Sequence, residues 1–282
     1  MPGRLYVVST PIGNLDDITV RALNTLKSVA LIAAEDTRRT SILLRHFGIS
    51  TASTSFHEHN ERQKLPHLLQ KLEAGGDIAL VSDAGTPLVA DPGQRLIAAA
   101  ISRGVAVIPI PGASAVLAAL TVSGLPANEF VFAGFVPSRA NDRIKWLRSL
   151  ANEQRPLVFF ETPHRIRKTL AGLHGILGDR PITIARELTK LHEEVIRTTT
   201  AQLQDTTVTE RGEFTIVVGP KNDPETAAQV IDDSHVYKYF YHLTENEGLE
   251  RRPAITRTAQ YFGLSTKLVF STLERLKNSP VP

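Results

Sequence analysis

Five short apolar runs in this sequence end directly in residues able to hold or react with a small ligand. Open α/β sheets bind ligands at such places, in the crevice beyond the carboxyl ends of their strands. The first run leads into Ser9-Thr10-Pro11-Ile12-Gly13-Asn14-Leu15 and then Asp16-Asp17. Pro11 and Gly13 shape a tight loop there, and Asp16 or Asp17 can cap a following helix. The spacing is not G-x-G-x-x-G, so it offers no dinucleotide cradle. The second run ends in Glu35-Asp36-Thr37-Arg38-Arg39-Thr40. It reads either as an ordinary helix start or as a cleft-facing substrate site, because acids abutting arginines behind a buried strand must be paired or exposed. The third ends in Ser82-Asp83-Ala84-Gly85-Thr86-Pro87-Leu88, followed by Asp91-Pro92-Gly93. Small residues let a ligand approach the backbone closely, and Asp83 could accept from hydroxyls or offset a cation. The plain alternative is an elaborate turn.

The fourth stretch, Pro109-Ile110-Pro111-Gly112-Ala113-Ser114-Ala115, delivers a helix N-terminus. Its free N–H groups suit a carboxylate or a ring acceptor, although a simple capped helix reads equally well. The fifth, Glu161-Thr162-Pro163-His164-Arg165, sets cations at a helix start, against the helix dipole. That points to an anionic partner, Glu161 or a phosphate. Further on, Arg186-Glu187-Leu188-Thr189-Lys190-Leu191-His192-Glu193-Glu194 is a charge run that could be a solvated loop. His57-Glu58-His59, if extended, puts both histidines on one face, but no third ligand accompanies them and no metal site is expected.

Composition removes other chemistries. The chain has no cysteine, so it forms no disulfide, no cysteine-ligated metal site and no thiol nucleophile, and its single methionine is Met1. A hydrophobic share of 42% and a charged share of 22% are ordinary for a globular protein. Only Leu5–Val8 is apolar near the start, which is too short for a secretory leader. No apolar run approaches the ~18 residues of a membrane span. The expectation is a soluble cytoplasmic chain.

The elements that must position these residues alternate. Strands are expected at Leu5–Val8, Val29–Ala34, Ile78–Val81, Val105–Ile108, Phe130–Phe135, Leu157–Phe160, Ile182–Ala185 and Phe214–Val218. Helices are expected at Thr37–Phe47, Glu61–Ala74, Gly93–Ser102, Ser114–Val122 and Arg165–Leu177, several closed by a glycine. This alternation predicts α/β sheets with parallel strands. The 282 residues suit two domains, or one large domain with an appendage, at about 150 residues each. The Pro109–Gly112 cluster is a candidate hinge between residues 1–111 and 112–220.

The net charge of +3 conceals an asymmetry. Residues 221–233 form an acidic linker, and residues 234–282 are basic and helical in pattern. Ala259, Gly263, Leu264, Ser265 and Val269 have helix-turn-helix spacing, which serves either nucleic-acid binding or packing.

Taken in order, S-T-P-I-G-N-L-D-D-I-T, A-E-D-T-R-R-T, S-D-A-G-T-P-L-V-A-D-P-G, P-G-A-S-A, E-T-P-H-R-I and R-E-L-T-K-L-H-E-E resemble the ribosomal RNA small subunit methyltransferase I group. That group belongs to the tetrapyrrole (corrin/porphyrin) methylase superfamily. The resemblance implies two α/β domains with S-adenosylmethionine in the cleft between them, a small helix-turn-helix-like C-terminal domain, and a homodimer. It implies 2′-O-methylation of a cytidine ribose in 16S ribosomal RNA, free or in the 30S subunit, with no membrane partner. Donor contacts would fall on Pro11, Asp83, Gly85, Leu88, Ser114, Ala115, Phe160 and Ala185. The ribose hydroxyl must lose a proton; Glu35 and Asp36 are the first candidate acceptors, ahead of Glu187 and His57. Arg38 completes the catalytic set. Arg38, Arg39, His164, Arg165 and Lys190 would face phosphates or the developing alkoxide, with Glu187 beside them at the substrate. The alternatives are a tetrapyrrole or protein side-chain methylase, and a ligand-sensing nucleic-acid-binding regulator.

Overall fold

A computed structural model describes residues 1–220, 233–262 and 264–277. The chain divides into two compact units, Met1–Gly219 and Pro220–Pro282.

The first unit contains two sheets. In the first, β1 (Arg4–Val8), β2 (Leu31–Ala34), β3 (Ser53–Ser55), β4 (Ile78–Val81) and β5 (Ala106–Ile110) lie in the order β3-β2-β4-β1-β5. Every pairing is parallel. The period-2 alternation of strands sorts their side chains onto two faces. Ile32, Ala34, Ala79 and Val81 meet Ala22, Leu26, Leu43 and Leu44 from α1 (Val20–Ser28) and α2 (Thr37–His46). Ala33, Ile78 and Leu80 meet Leu68, Leu72, Leu96 and Ala100 from α3 (Glu61–Glu73) and α4 (Gln94–Ser102). A sheet covered on both faces needs strands without polar interruptions, and β4 is buried at every residue.

The second sheet corrects the all-parallel expectation. Its strands are β6 (Val131–Phe135), β7 (Leu157–Glu161), β8 (Pro181–Arg186), β9 (Glu194–Thr199) and β10 (Phe214–Val218), in the order β6-β7-β10-β8-β9. Only β6–β7 is parallel; β10 runs antiparallel to both β7 and β8, and β9 antiparallel to β8. The charge run after β8 is short enough to fold straight back as β9. Helix α5 (Ala115–Ser123) covers Val158, Ala185 and Val217 on one face. Helices α6 (Ala140–Ser149) and α7 (Ile166–Leu177) cover Leu157, Phe159, Ile184 and Ile216 on the other.

Several boundaries move. Asp16 and Asp17 form a 3-10 turn capped by Asn14, and Thr19 caps α1, its hydroxyl accepting from Ala22 N–H at 3.1 Å. His57 and His59 lie in a turn beyond β3 and not on a strand.

The C-terminal unit holds α8 (Asp233–Tyr241), α9 (Arg251–Phe262) and α10 (Thr266–Lys277). They pack around Val236, Ile255, Ala259, Val269 and Leu273. Ala259 is buried where the small residue was expected, and the Ser265 hydroxyl accepts from Leu268 N–H at 3.2 Å, starting α10. The turn residue Gly263 and residues 221–232 of the expected linker lie outside the described residues. Among the described residues no helix is long and apolar enough to cross a membrane.

Arg180 is the largest fully buried side chain of the chain's described part. Burial lowers its pKa from the usual guanidinium value. Its guanidinium donates to three carbonyls, Leu177 at 3.0 Å, Glu153 at 2.9 Å and Ala151 at 2.6 Å. Removing the donor strands those buried acceptors. Arg180→Leu is therefore expected to destabilise the first unit by about 3 kcal/mol, read from chemical denaturation of the full chain.

Candidate active site

Parallel strands bring their carboxyl ends to one edge, so the loops after β1, β2, β4 and β5 converge. Two of them are stitched together. Thr10 N–H donates to Gly85 O at 2.9 Å, Gly85 N–H returns to Thr10 O at 3.0 Å, and the Ser9 and Thr86 hydroxyls lie 2.9 Å apart. In the second sheet β10 runs against β7 and β8, so Phe214 at its start pairs with Glu161 and Arg186 at their ends. These two strand edges enclose a cavity of about 370 Å³, a size suited to a small molecule.

A bare glycine lets the two halves meet. A Cβ on Gly13 would lie 2.4 Å from Lys190 Cγ and 3.0 Å from the Thr189 hydroxyl. Lys190 then reaches Glu187 at 2.7 Å and Glu213 at 2.8 Å. Burial alone would raise Glu187, but the Lys190 ammonium and the Glu213 amide overcome it and hold that carboxyl below its ordinary range. Ile12 packs with Val116 and Leu188, extending the same contact into apolar surface. Glu187 (φ 51°) and Thr189 (φ 68°) are left-handed, a backbone conformation that a β-branched threonine rarely adopts.

One side of the cavity is acidic. The Glu35 carboxylate accepts from Asp83 N–H at 3.1 Å, and the Asp83 carboxylate accepts from Asp36 N–H at 2.9 Å. Arg39 stands 3.5 Å from Asp83. Burial raises Asp83, partly offset by Arg39. Asp91 is pushed up to about 7, first by burial and then by the charge of Glu35. The N-terminus of α5 adds Ser114, Ala115 and Val116 to the lining, with Ser114 capping the helix by accepting from Leu117 N–H at 3.5 Å. Below, the buried Glu161 accepts from Thr162 N–H at 2.7 Å and the Thr169 hydroxyl at 2.5 Å, and pairs with Arg165 at 3.0 Å.

The family described as Tetrapyrrole (Corrin/Porphyrin) Methylases matches residues 4–204. The chain is 49% identical over 237 residues to the ribosomal RNA small subunit methyltransferase I of Synechocystis sp., spanning 82% of this chain and 85% of the relative. It is 43% identical over 271 residues to the protein of that name from Xylella fastidiosa, spanning 93% and 99%. The chain belongs to the ribosomal RNA small subunit methyltransferase I family of tetrapyrrole methylases. The fold agrees. A diphthine synthase structure aligns with a TM-score of 0.62 at 16% identity, covering 77% of this chain and 90% of the other. The uroporphyrin-III C-methyl transferase of Thermus thermophilus, complexed with S-adenyl homocysteine, aligns at 0.54 and 20%, covering 77% and 97%.

In this methyltransferase the cavity gathers Glu35, Arg39, Asp83, Gly85, Ser114, Ala115, Phe160 and Ala185 from the residues expected at the site. Pro11 and Leu88 do not line it; each adjoins a lining stretch, and Leu88 is left-handed (φ 74°). Asp36 and Arg38 also stand outside the lining, in a carboxylate–guanidinium pair of 2.7 Å that caps α2. The Arg38 hydrogen bonds hold Asp36 at about 2. His164, Arg165, Glu187 and Lys190 stand off the lining, with Arg165 engaged by Glu161, the anion its place at a helix start called for, and Lys190 tied to the lining residue Glu213. His57 keeps a buried, unpartnered Nδ1 in its turn. Glu161, expected only as an anionic partner, also lines the cavity, and Asp91, Glu213 and Thr86 line it without having been assigned a role. Asp91 could have been flagged as a second acid, after Asp83, in one glycine- and proline-rich loop.

The Gly13 contact is testable. Gly13→Ala must push Lys190 and Thr189 away, so a loss of about 1–3 kcal/mol is expected in thermal or chemical denaturation.

Proposed function

We propose that this chain transfers a methyl group from S-adenosylmethionine to the 2′-hydroxyl of a cytidine ribose in small-subunit ribosomal RNA. The observation that carries the donor reading is the mixed chemistry that the cavity gathers. Carboxylates Glu35 and Asp83 line it together with the α5 N-terminus and its free N–H groups. A donor that carries both cationic centres and a carboxylate fits that combination. Gly85, Ala115 and Ala185 leave room for its body, and Phe160 offers a ring face. Asp83, Gly85, Ser114, Ala115, Phe160 and Ala185 would hold it, with Pro11 and Leu88 shaping the loops behind them.

When bound, S-adenosylmethionine supplies an already activated methyl group. The protein's part is to hold the ribose oxygen in line and to keep water out. Glu35 orders the Asp83 loop from within the cavity, while Asp36 and Arg38 form the exposed start of α2. Arg39 at the cavity, with Arg38, His164, Arg165 and Lys190 in the adjoining loops, would contact the phosphates, and the relatives' name supports a ribosomal substrate. The basic surface of the C-terminal unit, including Lys238, Arg252 and Lys267, adds RNA affinity. The enzyme works as a homodimer, for which the exposed Leu117 and Val122 of α5 provide apolar surface, and it meets its substrate in the cytoplasm.

Incubation with labelled donor and isolated small subunits is expected to place label on ribosomal RNA, at a ribose, and none on naked DNA. Label absent from RNA, with donor-dependent DNA binding, would favour a regulator instead. Truncation after Pro220 is expected to leave donor affinity unchanged in calorimetry and to weaken RNA binding at least tenfold at low salt, with a shallower salt dependence.

A further inference from the structure

Five carboxylates line the cavity, and four have their partners. Glu35 is taken by the Asp83 amide, and Asp83 by the Asp36 amide and Arg39. Glu161 is taken by Arg165, Thr169 and the Thr162 amide. Glu213 is taken by Lys190. Asp91 differs. Among the described residues no lysine or arginine pairs with it, and its side-chain contact is the Ser82 hydroxyl. The charged groups that act on it are Glu35 and Asp83, both acidic. Asp36, by contrast, is outside the cavity and saturated by Arg38.

We propose that Asp91 is the proton acceptor of the methyl transfer, taking the proton of the attacking ribose hydroxyl inside the cavity. This rests on the proposed RNA 2′-O-methylation. The ribose oxygen forms a bond to the methyl carbon as the carbon–sulfur bond of the donor breaks, and that electron pair stays on sulfur as a neutral thioether. The hydroxyl proton passes to a carboxylate oxygen of Asp91 and is lost to solvent after product leaves. The loop is built to hold this carboxylate in place. Leu88 (φ 74°) and Ala90 (φ 67°) are both left-handed just before it, and Gly93 (φ 123°) just after it, where a Cβ would lie 2.7 Å from a Leu80 methyl. Strain of this kind persists where surrounding structure over-determines the backbone, as it does at functional loops. A carboxyl raised by burial and by two like charges accepts a proton near neutral pH far better than one held at about 2, as Asp36 is.

The test compares wild type, Asp91→Asn and Asp91→Glu on small subunits with labelled donor. In wild type, single-turnover transfer is expected to rise with pH to a break near 7, where Asp91 becomes the carboxylate. Asp91→Asn is expected to transfer about 100-fold or more slowly, to lose the break, and to keep donor Kd within about twofold by calorimetry. Asp91→Glu is expected to restore part of the rate and the break. A carboxyl resonance titrating near 7 in the donor-free protein, absent from Asp91→Asn, reads the same group without turnover. An Asp91→Asn enzyme with wild-type rate and pH profile overturns the proposal. So does one whose rate falls only as far as its donor affinity, which would make Asp91 a donor-binding residue. Wild type that binds donor yet labels no ribosomal RNA overturns the substrate reading itself, with the carboxyl titration still reporting on Asp91.

Discussion

Where a parallel ladder stops, the next amide has no strand partner, and the rest of this site depends on how those amides are satisfied. The β2–β4 ladder closes with Glu35 N–H donating to Val81 O at 3.2 Å. Beyond it the two chains exchange side chains for backbone: Glu35 receives the Asp83 amide, and Asp83 receives the Asp36 amide. Buried backbone donors need partners, and here the partners are acids. That one exchange fixes both loops, sets negative charge at the cavity wall, and leaves Asp91, the other acid of the loop after β4, without a cation. The charge distribution that suits a sulfonium donor is thus a by-product of ending two strands side by side.

The second half answers the first with a different device. Its antiparallel β10 carries its amino end, and not its carboxyl end, to the shared edge, so Glu213 arrives beside Glu187. Lys190 neutralises both and, through its aliphatic stem, rests against Gly13. The seam between the halves therefore combines an ion cluster, a missing side chain and the apolar contact of Ile12 with Val116 and Leu188.

The first sheet was legible because its strands are buried on both faces and read as unbroken apolar runs. Strand β3 was not, since Ser53, Thr54 and Ser55 at a sheet edge show no apolar pattern. Strand β9 begins where the charge run ends and went unread because only Val195 and Ile196 are apolar in it, between Glu194 and Arg197 at a sheet edge. Strand direction in the second sheet depends on which strands pair across long sequence separations, which local pattern does not encode. At the site, turn-forming and small residues such as Gly85, Ser114 and Ala185 announced themselves by composition and family motif. Asp91 did not, because its distinction is what it lacks, a backbone amide or a cation on its carboxylate, and that is visible only when every neighbouring acid has been assigned one.

Arg180 carries a consequence for how the second half keeps its shape. Its guanidinium has no carboxylate within ion-pair reach among the described residues; its charge is dispersed over carbonyls at the end of α7 and in the stretch after α6. Neither segment alone can satisfy it. One side chain therefore couples the end of α7, the turn after α6 and the start of β8, and displacing either segment leaves a buried charge short of acceptors.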